Sequence, residues 1–148
     1  MDLIGRIRED LKGALKAKDG KRVSVLRFLL AGIGNREIDK REPLSEEEVL
    51  SEITSSVKRR RESIQAFRDG DRQDLVEKEE AELAILSEYL PEQLPDEEIR
   101  RMAEEAILAA GAGSPGDIGK VMKELMPRIR GRADGRTVNE IVRELLSR

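Results

Sequence analysis

Apolar residues recur at intervals of three and four along almost the whole chain, and that spacing limits its fold more than any other feature. The interval suits a helix of 3.6 residues per turn and not the alternation of a half-buried strand. Leu3, Ile4, Ile7, Leu11 and Leu15 make one stripe, which predicts a first helix over about 2–18. Asp19-Gly20 interrupts it. A second helix follows over about 21–40, with Val23, Leu26, Leu30 and Ile33 on one face, and closes at Arg41-Glu42-Pro43, because the residue before a proline avoids the helical region. Ser45 and Glu48 have the spacing of a capping box, and Glu46-Glu47-Glu48 suits the positive end of a helix dipole. The third helix then spans about 46–69, or about 36 Å at 1.5 Å per residue, with Val49, Ile53, Val57, Ile64 and Phe67 as its seam. Gly70 is expected as its left-handed cap, and Asp71 as the cap of a fourth helix over about 72–89. Leu75, Val76, Leu83, Leu86 and Leu90 supply that helix's seam, and the tight link favours an antiparallel hairpin.

Pro91 and Pro95 bracket Glu92-Gln93-Leu94 and mark a boundary. Beyond it, Asp96 restarts a helix over about 96–110 that Gly111 stops. Ser114-Pro115-Gly116-Asp117 reads as the next start, with Ser114 as N-cap, and that helix carries Ile118, Val121, Met122, Leu125 and Met126 up to Pro127. A turn at 131–135 leads to a last helix bearing Val138, Ile141, Val142, Leu145 and Leu146. The expected fold is all-α, with an N-terminal four-helix subdomain over 1–93 and a smaller C-terminal three-helix subdomain over 96–148.

Composition supports this and excludes several chemistries. Among 148 residues there are only three rings, Phe28, Phe67 and Tyr89, too few for a typical β-sandwich or barrel. No cysteine or histidine is present, which removes thiolate nucleophiles, disulfides, the commonest metal ligand and the usual general base near neutral pH. No cofactor is expected. The longest apolar run, VLRFLLAGIG, is short of the roughly 20 residues that cross a bilayer and is broken by Arg27. The N-terminal sequence MDLIGRIRED does not resemble a signal peptide, so the expectation is a cytoplasmic protein with no membrane partner.

Three motifs are set aside. Gly111-Ala112-Gly113-Ser114-Pro115-Gly116 has the dinucleotide-binding glycine spacing, but a helix precedes it where a strand is required. Gly119-Lys120 resembles the end of a P-loop, but Ser114 replaces its earlier glycine and Val121 its magnesium-binding hydroxyl. Ser55-Ser56-Val57-Lys58 has the Ser-x-x-Lys spacing of some hydrolases, with nothing else to complete a site.

Charge is uneven along the chain. The net charge is −3, yet residues 77–98 hold nine acids and one base, whereas 117–136 hold six bases and three acids. In the run Lys58-Arg59-Arg60-Arg61, Arg60 and Arg61 fall at the seam step between Val57 and Ile64. An antiparallel hairpin in which Phe67 meets Val76 sets Arg61 opposite Glu82, so an interhelical ion pair is expected there, with Lys58 and Arg59 freer to meet a ligand. The basic stretch 117–136 is the stronger candidate. A helix begins near Asp134 or Thr137, and its unpaired N–H groups suit a phosphate that Lys120, Arg130, Arg132 and Arg136 could surround. The alternative is that Asp134 caps this helix and the arginines are solvated. Reading single-stranded RNA usually needs stacking surfaces, and with so few rings Tyr89 is the only candidate, so a nucleic-acid ligand is expected to be folded RNA recognised by shape and backbone. The acidic total argues against indiscriminate nucleic-acid binding, and DNA is not expected as a partner.

Several segments, taken in order, resemble the GatB/YqeY family. They are Ala17-Lys18-Asp19 with Arg22 and Leu26-Arg27; Glu62-Ser63-Ile64 with Phe67, Arg72 and Asp74-Leu75; Tyr89-Leu90-Pro91-Glu92-Gln93-Leu94; and Asp117, Gly119-Lys120-Val121-Met122, Leu125-Met126-Pro127 and Gly131-Arg132-Ala133-Asp134-Gly135. Lys123 departs from the pattern, which has glycine there. The resemblance implies a helical protein of two subdomains. It also implies kinship with the tail of the B subunit of the tRNA-dependent amidotransferase, a glutamine-dependent carbon–nitrogen ligase, where the tail is associated with gripping tRNA. The residues here offer no ATP site, ammonia channel or nucleophile. The leading expectation is therefore a non-catalytic accessory module that binds tRNA through Lys120, Arg130, Arg132 and Arg136, with Lys58 and Arg59 as further contacts. Docking to an amidotransferase or an aminoacyl-tRNA synthetase through the acidic face or an apolar groove is the alternative, and an independent amide-transfer enzyme is the third possibility.

Overall fold

The computed structural model describes residues 2–148; residue 1, the first position of the expected N-terminal subdomain, lies outside them. Among the described residues there are seven α-helices: α1 (Leu3–Lys16), α2 (Gly20–Lys40), α3 (Glu46–Asp69), α4 (Gln73–Ser87), α5 (Asp96–Ala110), α6 (Ile118–Ile129) and α7 (Gly135–Leu146). A single 3₁₀ turn, Pro115–Asp117, leads into α6. No strand forms among the described residues, only an isolated bridge between Arg130 and Ala133. The chain divides into two compact units, one ending at Leu90 and the other running Pro91–Arg148.

In the first unit, α1 to α4 enclose a core that includes Ile7, Leu26, Ile53, Val57 and Leu86. The first three helix starts each have a local cause. Asp2 accepts from the Gly5 N–H at 2.8 Å and Asp19 from the Arg22 N–H at 3.1 Å. Ser45 and Glu48 exchange both bonds of the capping box, at 3.2 and 3.0 Å. The buried face of α2 centres on Val25, Leu26, Leu29 and Ile33; Val23 and Leu30 are only half-buried, so the stripe is rotated from the one read in the sequence.

The α3–α4 joint corrects two expectations. Gly70 has φ −87°, and Asp71 takes the left-handed conformation, at φ +58°. The Arg72 N–H reaches the Phe67 carbonyl at 2.8 Å and the Asp71 N–H that of Arg68 at 3.1 Å. This is the paired bonding of a Schellman ending, and it needs its left-handed residue one position past the helix cap. Asp71 is therefore occupied by the turn, and Arg72 stands at the N-cap of α4 without a side-chain cap bond. The seam ion pair is also shifted by one residue. Arg60, not Arg61, crosses to α4: its Nη1 donates to Glu79 Oε2 at 3.0 Å and to Glu82 Oε2 at 2.5 Å, while Arg61 is exposed.

In the second unit, Met102, Val121, Leu125, Ile129, Val138 and Val142 are among the residues that close a separate core. Asp96, Glu97 and Glu98 occupy the first turn of α5, complementing its dipole. Gly111, at φ +64°, ends that helix. Ser114 does not cap α6. The 3₁₀ turn Pro115–Asp117 separates Ser114 from the start of α6, and Asp117 instead reaches back and accepts from the Gly113 N–H at 3.0 Å and, more weakly, from the Ser114 hydroxyl at 3.5 Å. Pro127 does not stop α6, which continues to Ile129 with the proline inside it.

Candidate nucleic-acid interface

The basic turn at the C-terminal end of α6 is built by local bonding. Gly131 takes φ +79°, and the Arg132 N–H donates to the Ile129 carbonyl at 2.9 Å. The segment Pro91–Leu94 is stitched to the same turn. The Leu94 N–H donates to the Arg132 carbonyl at 2.8 Å, Gln93 Nε2 to the Gly131 carbonyl at 2.8 Å, and Arg132 Nε reaches the Glu92 carbonyl at 3.4 Å. Two sequence motifs that lie some forty residues apart thus serve one joint. No sequence periodicity signals that link, because it runs mostly through backbone carbonyls.

The four cations proposed for this region differ in what they can do. Arg132 is half-buried and bound to the stitched segment, and Arg130 is half-buried and also engaged. Arg136, on the first turn of α7, has its side chain 81% exposed, with Glu140 no nearer than 4.0 Å. Lys120 is 68% exposed and 3.9 Å from Asp117. It lies at the opposite end of α6 from Arg130, about 15 Å along the axis. The turn thus brings Arg130, Arg132 and Arg136 into one short stretch and leaves Lys120 apart, so the four do not surround one phosphate. Asp134 accepts from the Thr137 N–H at 3.1 Å and caps α7, so a carboxylate already occupies the helix start. Lys123, passed over in the sequence, is also exposed on α6.

The other cations of the second unit are mostly paired: Arg100 with Glu144 at 3.3 Å, Arg101 with Glu98 and Glu105, and Arg128 with Glu105 at 3.4 Å. Arg101 holds the Glu98 carboxyl below its ordinary range, and Arg100 does the same for Glu144.

In the first unit, Lys58 is engaged, and among the described residues Arg59 makes long contacts, to Ser56 Oγ at 3.4 Å and Glu52 Oε1 at 3.6 Å. Arg59 lines a cleft of about 380 Å³ between α2, α3 and α4. Tyr89, the expected stacking surface, is only 4% exposed. Its hydroxyl donates to Asp10 Oδ2 at 2.5 Å, and the Arg6 guanidinium lies 4.7 Å from the ring centroid. Burial, followed by the Asp10 bond, pushes the phenol pKa up. Its ring is therefore a core element. The ring that does face solvent is Phe28, 68% exposed at the cleft. Its place in an apolar run gave no sign of exposure.

Two compact helical units, a stitched basic turn and a polar cleft, with no helix among the described residues long and apolar enough to cross a membrane, define a small all-α protein. The chain belongs to the YqeY-like (GatB/YqeY) family, whose model matches residues 4–146. It is similar to proteins named "Altered inheritance of mitochondria protein 41, mitochondrial". The relative from Lachancea thermotolerans is 41% identical over 64% of this chain and 51% of its own length, and that from Eremothecium gossypii is 40% identical over 60% and 49%. The relative from Pyrenophora tritici-repentis is 30% identical over 97% of this chain and 81% of its own. The chain spans about half the length of the first two relatives. These names overturn the cytoplasmic expectation, since the relatives are named mitochondrial. That expectation rested on the lack of a signal peptide and of a spanning segment, and a protein of the mitochondrial interior lacks a spanning segment equally.

Proposed function

We propose that this protein is a non-catalytic accessory module that binds tRNA, in support of tRNA-dependent amidotransferase chemistry. In this reading the four N-terminal and three C-terminal helices are subdomains with separate tasks. The C-terminal one grips the RNA backbone through Lys120 and Arg136, while Arg130 and Arg132 shape the turn and add positive potential. The observation that carries the reading is the exposure of Lys120 and Arg136 beside acids too distant to hold them tightly, in a unit whose other arginines are mostly paired or half-buried. Exposed cations spaced along a helix and its following turn suit successive phosphates of a folded RNA better than one small anion.

Filter binding against total tRNA at a series of salt concentrations tests this. Affinity should fall linearly on a log–log plot, and Lys120→Ala and Arg136→Ala should each lower the slope by about one. A salt-independent affinity, or slopes untouched by both substitutions, refutes it. Docking to an amidotransferase or a synthetase is the second reading, and Leu108, exposed on α5, is the apolar contact to test. Capture of such an enzyme that survives nuclease and is lost in Leu108→Ser would support it.

A further inference from the structure

The cleft between α2, α3 and α4 brings together groups that the basic C-terminal turn does not use. Phe28 contributes a solvent-facing ring from α2, and Arg59 a guanidinium whose contacts among the described residues are long, at 3.4 and 3.6 Å. Ser24, Ser56 and Ser63 add hydroxyls that both donate and accept. On the far wall Arg60 engages Oε2 of Glu79 and of Glu82, so Oε1 of each remains as an acceptor among the described residues. The two arginines balance the two carboxylates, and the lining is electrically neutral overall.

These features select the occupant. A compact anion would meet two carboxylates. A purely apolar ligand would strip water from four charges without replacing it. A nucleobase satisfies both demands: it has a flat face for a ring or a guanidinium plane, and an edge that carries donors and acceptors together. About 380 Å³ lies at the small end of ligand sites and suits one base with its sugar, not a duplex.

We propose that this cleft holds a single unstacked base of RNA, with Phe28 as its stacking face, Arg59 as the movable donor, and the glutamate oxygens and serine hydroxyls reading its edge. The proposal rests on the RNA-binding reading above and adds to it a second contact, of a different kind. It also gives the chain the stacking surface that buried Tyr89 does not provide.

A short single-stranded RNA carrying one 2-aminopurine, whose fluorescence falls when the base stacks, tests it. The intact protein should quench the probe saturably. Phe28→Ala should weaken this about tenfold or more, as loss of one stacking ring does, and Phe28→Tyr should retain it. Unchanged Tyr89 fluorescence and helical circular dichroism would show that Phe28→Ala is folded. Absence of saturable quenching, equal affinity in Phe28→Ala, or equally effective competition by an oligomer with an abasic site in place of the probe base would each overturn the proposal. The tRNA salt slope, measured on the same preparation, separates the two readings. A normal slope without quenching removes only the cleft, whereas quenching without tRNA binding removes only the tRNA assignment.

Discussion

Replacing Arg60 by alanine should destabilise the N-terminal unit by about 2–3 kcal/mol, and the reason lies in what is left behind. One nitrogen of Arg60 binds an oxygen of Glu79 and an oxygen of Glu82, so those two oxygens lie no further apart than the two bonds end to end, about 5.5 Å. At an effective dielectric constant of about 20, two negative charges at that distance repel by about 3 kcal/mol. The Arg60 and Glu82 side chains are only 16% and 14% exposed, so water screens the pair poorly. Rotation of one carboxylate relieves part of the repulsion, which puts the cost below the 3–5 kcal/mol of a fully buried broken pair. Tyr89 is the only tyrosine and there is no tryptophan, so intrinsic fluorescence in urea reports on this unit alone. With a denaturant slope of about 1.5 kcal/mol/M, the midpoint should fall by about 1.5 M. A midpoint shift below about 0.3 M, or an equal shift in Arg61→Ala, would refute the seam assignment.

Three further outcomes follow from the geometry. Lys40 and the Ser45 backbone hold Glu48 at about 2, below its ordinary 4.5, so the stability it contributes is complete above 4.5 and lost as pH falls toward 2. Melting temperature against pH should therefore drop less steeply over that window in Glu48→Gln. The Tyr89 phenol has its pKa raised by burial, so its near-ultraviolet tyrosinate signal should appear above the pH 10 of a free phenol and together with unfolding, since the stability involved is full below 10 and lost as pH rises. Spectral ionisation at pH 10 in folded protein would contradict the burial. Leu125→Ala, at a fully buried site of the C-terminal core, should cost about 2–5 kcal/mol in helical circular dichroism melts.

The helices were legible because their signals are local. Ser45 and Glu48 form the box their spacing announces, and α3 spans Glu46–Asp69 as its seam required. Legibility failed where a long-range partner or a one-residue rotation decides. Both Arg60 and Arg61 sit at the seam step, and only the hairpin's actual register selects Arg60. At Gly70-Asp71, residue preference pointed to the glycine, whereas the bonding of the turn put the positive φ on the aspartate. At the candidate interface, charge alone grouped Lys120 with the three arginines, although the length of α6 separates them. The expectation that Asp134 caps α7 was open in the sequence, and its bond to Thr137 closes it. That Tyr89 is buried and Phe28 exposed was not legible, because an apolar pattern does not say which ring faces inward.

The two units also differ in how their chain reversals are made. Lys18, Arg41 and Asp71 supply the positive φ angles of the first, whereas Gly111 and Gly131 supply those of the second. A side chain in that conformation costs on the order of 1 kcal/mol, so the first unit keeps tension at three corners that the second has already relaxed. Stabilising the N-terminal half can therefore begin at those three corners, a route that the glycines of the C-terminal half have already taken.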